Sequence, residues 1–478
     1  MKANLSIILL AFCLVAGTLN SCRAGGAEKM RALQEKADRY LVKDDSIRQF
    51  FAITENGIAT YASPVDRQEG KAEFRLDWDE IPAFRQMVAS ATAEEALAHY
   101  LAHAEGSRWD AEFAAQFSPK SPFLPTLTAP DRPLKGLRIA LDPGHLGGTM
   151  DFARKIERKF VRMRPAPRQG ISQEIAFNEG NLALATAYIL KTQFEAAGAT
   201  VLLTRTGEGK SSLGLDLDEW LRAERKRANP NAPIGTTSDT EAALLKYAGQ
   251  NYATDEGLSG KDSLWWCSQA SKRDIYRIPF LKQDFRNRAA MINAFQPHLT
   301  LIIHYNIHEK NEVDRAGYLK PVPFNYCMAF IPGSFMRGEL DEPEERLAFL
   351  IKLLTDAPES SQRLCAAVLE QHERQLDVPI MEWDSTLRYL EKASLPTEAR
   401  GVFARNLSLT RLVHGTICFG ESLLQDNLDE CQALNQKDFR LPEMHTPLPE
   451  RVRDVAQAYY DGVINWAKAE RAAQNAED

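Results

Sequence analysis

The sequence predicts an α/β fold: a twisted, mostly parallel sheet flanked by helices, carrying long insertions and preceded by a small α+β module. Two observations carry that expectation. From Leu137 onward, short β-rich runs alternate with stretches of helical periodicity. The runs also end where strands are stopped, Leu137–Leu141 before Pro143-Gly144 and Tyr326–Ile331 before Pro332-Gly333. Thr200–Thr204, Leu299–Ile303 and Thr416–Phe419 read as further strands.

The helix between the first two strands is the best punctuated. Asn178 suits an N-cap, Phe177 and Leu182 form a hydrophobic staple, and Leu182, Ala185, Ile189 and Leu190 give the apolar stripe. Gly198 ends the helix as a C′ residue. Glu179 therefore falls in the first turn, where the helix dipole favours its ionised form.

Upstream, 1–21 reads as an export signal: Lys2 is followed by the apolar run Leu5–Ala16, too short to span a membrane. Leu19-Asn20-Ser21-Cys22 resembles the lipobox of bacterial lipoproteins. The resemblance implies an exported, periplasmic chain attached to a membrane through a lipidated Cys22. The N-terminal module, 22–133, opens with a helix over Met30–Leu41. A hairpin follows, with Glu55-Asn56-Gly57 between two apolar runs, and Asn-Gly predicts a tight I′ turn. Helical periodicity returns over Ile81–Ala104, and Pro119, Pro122, Pro125, Pro130 and Pro133 make a linker-like run.

The remaining unit, 134–475, contains two insertions, about 207–280 and 309–399. The first holds Ala228–Pro233, which reads as an exposed loop, and Trp265-Trp266; such a pair can stack on sugar rings, but a buried anchor is the preferred reading. The second holds helices around Glu345–Leu354 and Gln362–Gln375. Insertions of this kind shape sites or lids. Pro449–Ala472 is an amphipathic helix.

The 478 residues are 44% hydrophobic and 26% charged, ordinary for a globular protein. A formal net charge of −7 leaves no basic footprint and argues against nucleic acid as the main partner. Besides Cys13 and Cys22, the cysteines Cys267, Cys327, Cys365, Cys418 and Cys431 are scattered without a CxxC pair. That speaks against a cysteine-rich zinc site and for buried, small apolar residues.

Four residues carry chemistry. His145 lies in Asp142-Pro143-Gly144-His145-Leu146-Gly147-Gly148 directly after a strand, Glu179 starts a helix, His304 falls where the Leu299–Ile303 run gives out, and Glu421 lies just past Thr416–Phe419. Singly, each has an ordinary explanation: a turn residue, a favourable helix-terminal charge, a satisfied core histidine, a solvated acid. Together they gather at the carboxyl edge of one sheet, where ligands bind. Two His and one carboxylate make a catalytic Zn2+ set with an open position, and a further carboxylate, Glu421, supplies the proton shuttle that metal-assisted hydrolysis needs. Asp142 and Asn306 are candidates for orienting those ligands or lining the substrate site. His308 is four residues after His304, a zinc-pair spacing on a helix, but on a strand the two diverge and His308 is a bystander. His414 reads as structural or substrate-proximal.

The order Asp142-Pro143-Gly144-His145, Glu179-Gly180-Asn181-Leu182, His304-Tyr305-Asn306 and Gly420-Glu421 resembles zinc-dependent N-acetylmuramoyl-L-alanine amidases of type 3. The likeness runs from Leu137 to Ala472, interrupted by both insertions. The chain departs from that family's pattern at Leu146, at Ile302 and at Gly420 and Ser422, which marks a divergent branch. The resemblance implies that His145, Glu179 and His304 bind zinc and that Glu421 is catalytic. It further implies hydrolysis of the amide joining N-acetylmuramic acid to L-alanine in peptidoglycan. Two other readings use the same residues: a zinc carboxypeptidase-like peptidase, and a wall-binding lipoprotein without turnover. The sequence names no protein partner.

Overall fold

The computed structural model describes residues 25–103, 107–126, 130–164, 174–228, 244–245, 265 and 269–477. The signal segment, Cys22, Cys267, Trp266 and most of the Ala228–Pro233 loop lie outside the described residues. Among those described, no helix is long and apolar enough to cross a membrane.

The N-terminal module begins with α1 (Gly26–Lys36), continued by one wide turn through Leu41. A three-stranded antiparallel sheet follows, β1 (Phe51–Ile53), β2 (Gly57–Thr60) and β3 (Phe74–Asp77). The expected hairpin is present, but its turn is not the Asn-Gly I′ form. Thr54 N donates to Gly57 O at 2.8 Å, so Glu55 and Asn56 occupy the corner, and neither has positive φ. Gly57 serves a different need: a Cβ there would lie 2.1 Å from the Leu76 carbonyl oxygen of β3. The periodicity over Ile81–Ala104 splits into α2 (Ile81–Ser90) and α3 (Ala93–Ala102). A capping box formed by Thr92 and Glu95 starts the second helix and explains the break.

The main sheet has seven strands. In chain order they are β4 (Arg138–Pro143), then, beyond a separate antiparallel pair β5 (Phe160–Met163) and β6 (Ile175–Asn178), β7 (Thr200–Leu203). Helix α4 (Glu179–Ala196) joins β6 to β7, with the Asn178 cap accepting from Asn181 N at 2.9 Å and Gly198 beyond its end at φ 99°. Helix α5 (Leu281–Phe295) leads into β8 (Leu299–Asn306), followed by β9 (Met328–Ile331). Helices α6 (Pro343–Leu354) and α7 (Ala357–Leu376) precede β10 (Ser394–Pro396), β11 (Val402–Arg405) and β12 (Ile417–Leu424). Helix α8 (Arg451–Glu477) closes the chain. The spatial order is β10-β11-β9-β12-β8-β4-β7. Pairs β11–β9, β12–β8, β8–β4 and β4–β7 are parallel, whereas β9–β12 and β10–β11 are antiparallel. The mixed α/β architecture with a mostly parallel sheet is therefore as the sequence predicts. Segment 309–399 supplies β9, β10 and two packed helices, so it builds the body of the sheet as well as its end.

One face of the sheet is covered by α4, α7 and α8 and the other by α5, each through its own apolar cluster. Cys327, Cys365, Cys418 and Cys431 are free and buried, as small apolar residues would be. The N-terminal module shares the larger cluster: Phe51 packs on Phe349 of α6 with ring centroids 4.6 Å apart, and Arg346 forks onto Glu73 with both bonds at 2.7 Å. The proline run is pinned by Arg471 of α8, which donates to Pro125 O at 2.9 Å and Pro133 O at 2.7 Å.

Lys352 of α6 is wholly buried beside this junction, its ammonium bonded to the Val413 carbonyl. Desolvation pushes its pKa down to about 7 from 10.5. Between those values the unfolded chain binds the extra proton, so this group makes stability rise with pH from 7 toward 10.5. Lys352→Met is expected to flatten that rise, which one such group makes as steep as about 1.4 kcal/mol per pH unit, in urea unfolding followed across the window. An unchanged slope would show that the folded ammonium remains hydrated.

Candidate active site

Three neighbouring parallel strands, β4, β8 and β12, bring their carboxyl ends together. β4 ends at Pro143, and the chain turns through Gly144 to His145, which holds a left-handed φ of 54°. That conformation is costly for a residue with a Cβ. It is fixed from several sides. Glu157 accepts from Leu146 N at 2.7 Å, Gly147 N at 3.0 Å and the Tyr276 hydroxyl at 2.8 Å. Asn181 accepts from Gly148 N at 2.7 Å. The buried Arg205 donates to the carbonyls of Pro143, Gly144 and Gly180 at 3.0, 3.1 and 2.7 Å. Gly144 is dictated by space, because a Cβ there would lie 2.3 Å from the His304 ring.

His304 lies inside β8, two residues before its end at Asn306, and not beyond the strand as the apolar run suggested. Its ring meets that of His145 edge-on, centroids 4.7 Å apart at 89°. On its other side it stacks on Phe419 of β12 at 4.4 Å and 5°. Glu179, the first residue of α4, reaches between the imidazoles: Oε1 is 3.0 Å from His304 Nδ1 and 3.3 Å from His145 Nε2, and it accepts from Tyr305 N at 3.2 Å. Burial pushes the Glu179 carboxyl up, but the charge of His145 and hydrogen bonds from both imidazoles outweigh it, leaving the group well below its usual value. Burial lowers the pKa of His145, against the charge of Glu179, which raises it.

One ligand atom from each of His145, Glu179 and His304 falls within 4.8 Å of the others. A tetrahedral zinc site with bonds of about 2.0–2.2 Å has ligand–ligand edges of roughly 3.3–3.5 Å. The two separations to Glu179 Oε1 are within about half an ångström of such edges. The Glu179 side chain is 3% exposed, while His145 and His304 are 18% and 12% exposed, so the set is open to solvent on the imidazole side. The residues fit the ion that the donor types suggest.

Glu421 also lies within its strand, β12, directly opposite His304 in the parallel register. Burial, then the charge of Glu179, pushes its carboxyl up to about 8. The reverse face of β12 fixes it, since a Cβ at Gly420 would come within 2.1 Å of the Tyr459 hydroxyl of α8. Thus the structure brings His145, Glu179, His304 and Glu421 to one place.

The other expected residues are nearby but bonded elsewhere. Asp142 accepts from the Thr204 hydroxyl and pairs with the buried Arg288 at 3.3 Å. Arg288 also holds Asp284 at 2.8 Å and the Pro143 carbonyl at 3.1 Å, so Asp142 meets the site through backbone and not through an imidazole. Asn306 accepts from Ile307 N at 2.8 Å. His308 turns to the Tyr326 hydroxyl at 3.2 Å and is outside the ligand cluster. His414 binds the Val88 carbonyl of α2 at 3.1 Å, a structural contact. Trp265 packs against the cluster containing Leu146, Trp220 and Phe280, as an anchor does. Sequence reasoning misses Glu157, Arg205 and Phe419. A glycine-rich turn needing several acceptors hints at a residue like Glu157, but nothing in the sequence singles it out.

No protein-family model and no curated protein matches the chain. Solved structures do. The CwlD amidase of Clostridioides difficile, in complex with the GerS lipoprotein, is 14% identical over 70% of this chain and 100% of that one, with a TM-score of 0.29. The N-acetylmuramyl-L-alanine amidase Ami1 of Mycobacterium smegmatis is 12% identical over 70% and 98%, with a TM-score of 0.35. The N-acetylmuramoyl-L-alanine amidase AmiC2 of Nostoc punctiforme is 10% identical over 70% and 99%, with a TM-score of 0.32. These three solved structures are amidases.

Proposed function

We propose that this chain is a zinc-dependent hydrolase of the amide bond between N-acetylmuramic acid and L-alanine in peptidoglycan. One observation carries the reading: two imidazoles and a carboxylate from three distant stretches converge beside a fourth residue, Glu421, which lies opposite His304 in the sheet. The two-nitrogen, one-oxygen donor set suits zinc, and the choice of bond rests on the motif resemblance. His145, Glu179 and His304 hold the metal, which when bound supplies Lewis-acid polarisation of the scissile carbonyl and acidifies water near it.

The remaining steps belong to the protein. Glu421 accepts a proton from the attacking water, whose oxygen bonds to the lactyl carbonyl carbon. As the carbon–nitrogen bond breaks, Glu421 returns that proton to the alanine nitrogen. Phe419 holds the His304 plane, and Glu157 and Arg205 hold the His145 turn, so the ligands need little rearrangement. The chemistry resides in 134–475. The protein acts outside the inner membrane, exported through 1–21 and anchored by a lipidated Cys22.

Digestion of purified cell wall tests this directly. Release of intact stem peptides from glycan supports the amidase; trimmed stems still attached to glycan would identify a peptidase, and tight wall binding without metal or cleavage a scaffold. Glu421→Gln is expected to retain one zinc per chain while losing turnover by about 10²–10⁴-fold, as loss of a general acid–base does. His304→Ala should lose the metal and His308→Ala keep it, measured as zinc content after gel filtration. Gly144→Ala touches no metal yet should also lower zinc occupancy, because its Cβ displaces the His304 ring.

A further inference from the structure

Among the described residues, the buried Arg288 pairs with Asp142 and Asp284, Arg346 with Glu73 and Arg205 with three carbonyls, and the partly buried Arg451 pairs with Glu430. Arg405 is the exception near the site. It is half-buried at the end of β11, and among the described residues its guanidinium has neither an ion-pair partner nor a hydrogen-bond acceptor. Partial burial lowers its pKa, against the nearby charges of Glu421, Tyr389 and Glu309.

Its position is fixed by aromatic rings. β11 lies two strands from β12 across β9, with Phe403 opposite Phe330 and Phe330 opposite Phe419. Ring centroids step 6.5 Å from Phe403 to Phe330, 6.0 Å to Phe419 and 4.4 Å to His304. Arg405, two residues after Phe403, shares that face. Its guanidinium carbon is held 5.1 Å from the Phe330 ring and 5.2 Å from the Tyr389 ring. Glu421 and Arg405 are close enough for each charge to bias the other.

We propose that Arg405 binds a carboxylate on the peptide side of the scissile amide, making the enzyme selective for stems whose second residue, a γ-linked glutamate, keeps its free α-carboxylate. This rests on the peptidoglycan reading above. In the intact substrate the lactyl group has no free acid, because its carboxyl is the scissile amide, so the carboxylates belong to the peptide. β11 runs antiparallel to β12, so the Arg405 backbone lies level with Ile417, two strands across and four residues along from Glu421. The side chain runs back toward the site beside Tyr389, whose hydroxyl reaches Sδ of Met328, the residue opposite Glu421. At about 3.8 Å per Cα step, the second stem residue lies roughly 7 Å from the reacting carbonyl, on the scale that an extended arginine side chain bridges. A planar guanidinium held between two rings presents its fork to a carboxylate with little ordering left to do.

Two muropeptides that differ only in that group, free acid or carboxamide, provide the test with zinc-loaded protein. Wild type should show a KM about tenfold lower for the acid than for the amide. Arg405→Met should raise KM for the acid about tenfold, leave kcat within a few-fold and leave the amide unchanged, with Arg405→Lys recovering part of the loss. Calorimetric binding to the Glu421→Gln protein should show the same split without turnover. Equal treatment of acid and amide by wild type, or equal damage to both by Arg405→Met, overturns the carboxylate contact while leaving the amidase reading intact. Failure of wild type to cleave either substrate and of Glu421→Gln to bind either overturns both.

Discussion

The turn after β4 lies directly against the start of α4 and the flank of His304, and the site depends on that approach. Two glycines permit it. A Cβ at Gly144 would fall on the His304 ring, and one at Gly180 would lie 2.3 Å from Gly147 N. With both gaps closed to bare backbone, His145 adopts its left-handed conformation and Glu179 reaches between the two imidazoles. Interiors are packed densely enough that one added methyl is felt, and here it would be felt at the reacting centre.

Such an approach crowds polar backbone into a place that water reaches poorly, and charged side chains answer it. Arg205 and Glu157 satisfy carbonyls and amides of the turn, and Arg288 ties the end of β4 to Asp142 and Asp284. Burying these ions is expensive unless each finds several partners. Each does, and the result is a stiff frame whose Glu157 carboxylate also lies 3.9 Å from His145 Nδ1. The two remaining charge effects, on Glu179 and Glu421, run in opposite directions. Glu179 is held ionised by two imidazoles, whereas Glu421 is pushed toward its protonated form by burial and by Glu179 itself.

Much of this is legible in the sequence. Strands ended by Pro-Gly, and a helix marked by Asn178 and Gly198, locate the sheet edge and Glu179 correctly, because caps and breakers act through local geometry. The four chemical residues stand out because each follows or starts such an element. The ends of β8 and β12 come later than the apolar runs suggest, since His304 and Glu421 look polar in sequence but remain paired in the sheet. The Asn-Gly pair misleads because Gly57 answers a contact with β3, a distant segment. Glu157 and Arg205 are invisible for the same reason: their partners are backbone atoms brought near by tertiary packing.

The burial that pushes the Glu421 carboxyl up also lowers the pKa of the Arg405 guanidinium. Each group is part of the other's counter-charge, to which Glu309 adds for Arg405 and Lys159 for Glu421, and burial still outweighs these charges at both. A divalent cation between the imidazoles would add to the positive charge felt by Glu421, and an anion bound at the guanidinium to the negative charge felt by Arg405. Because Glu421 and Arg405 bias each other, binding at one changes the electrostatic value of binding at the other. Loading such a site with metal should therefore alter how strongly it holds an anionic peptide even where the two never touch.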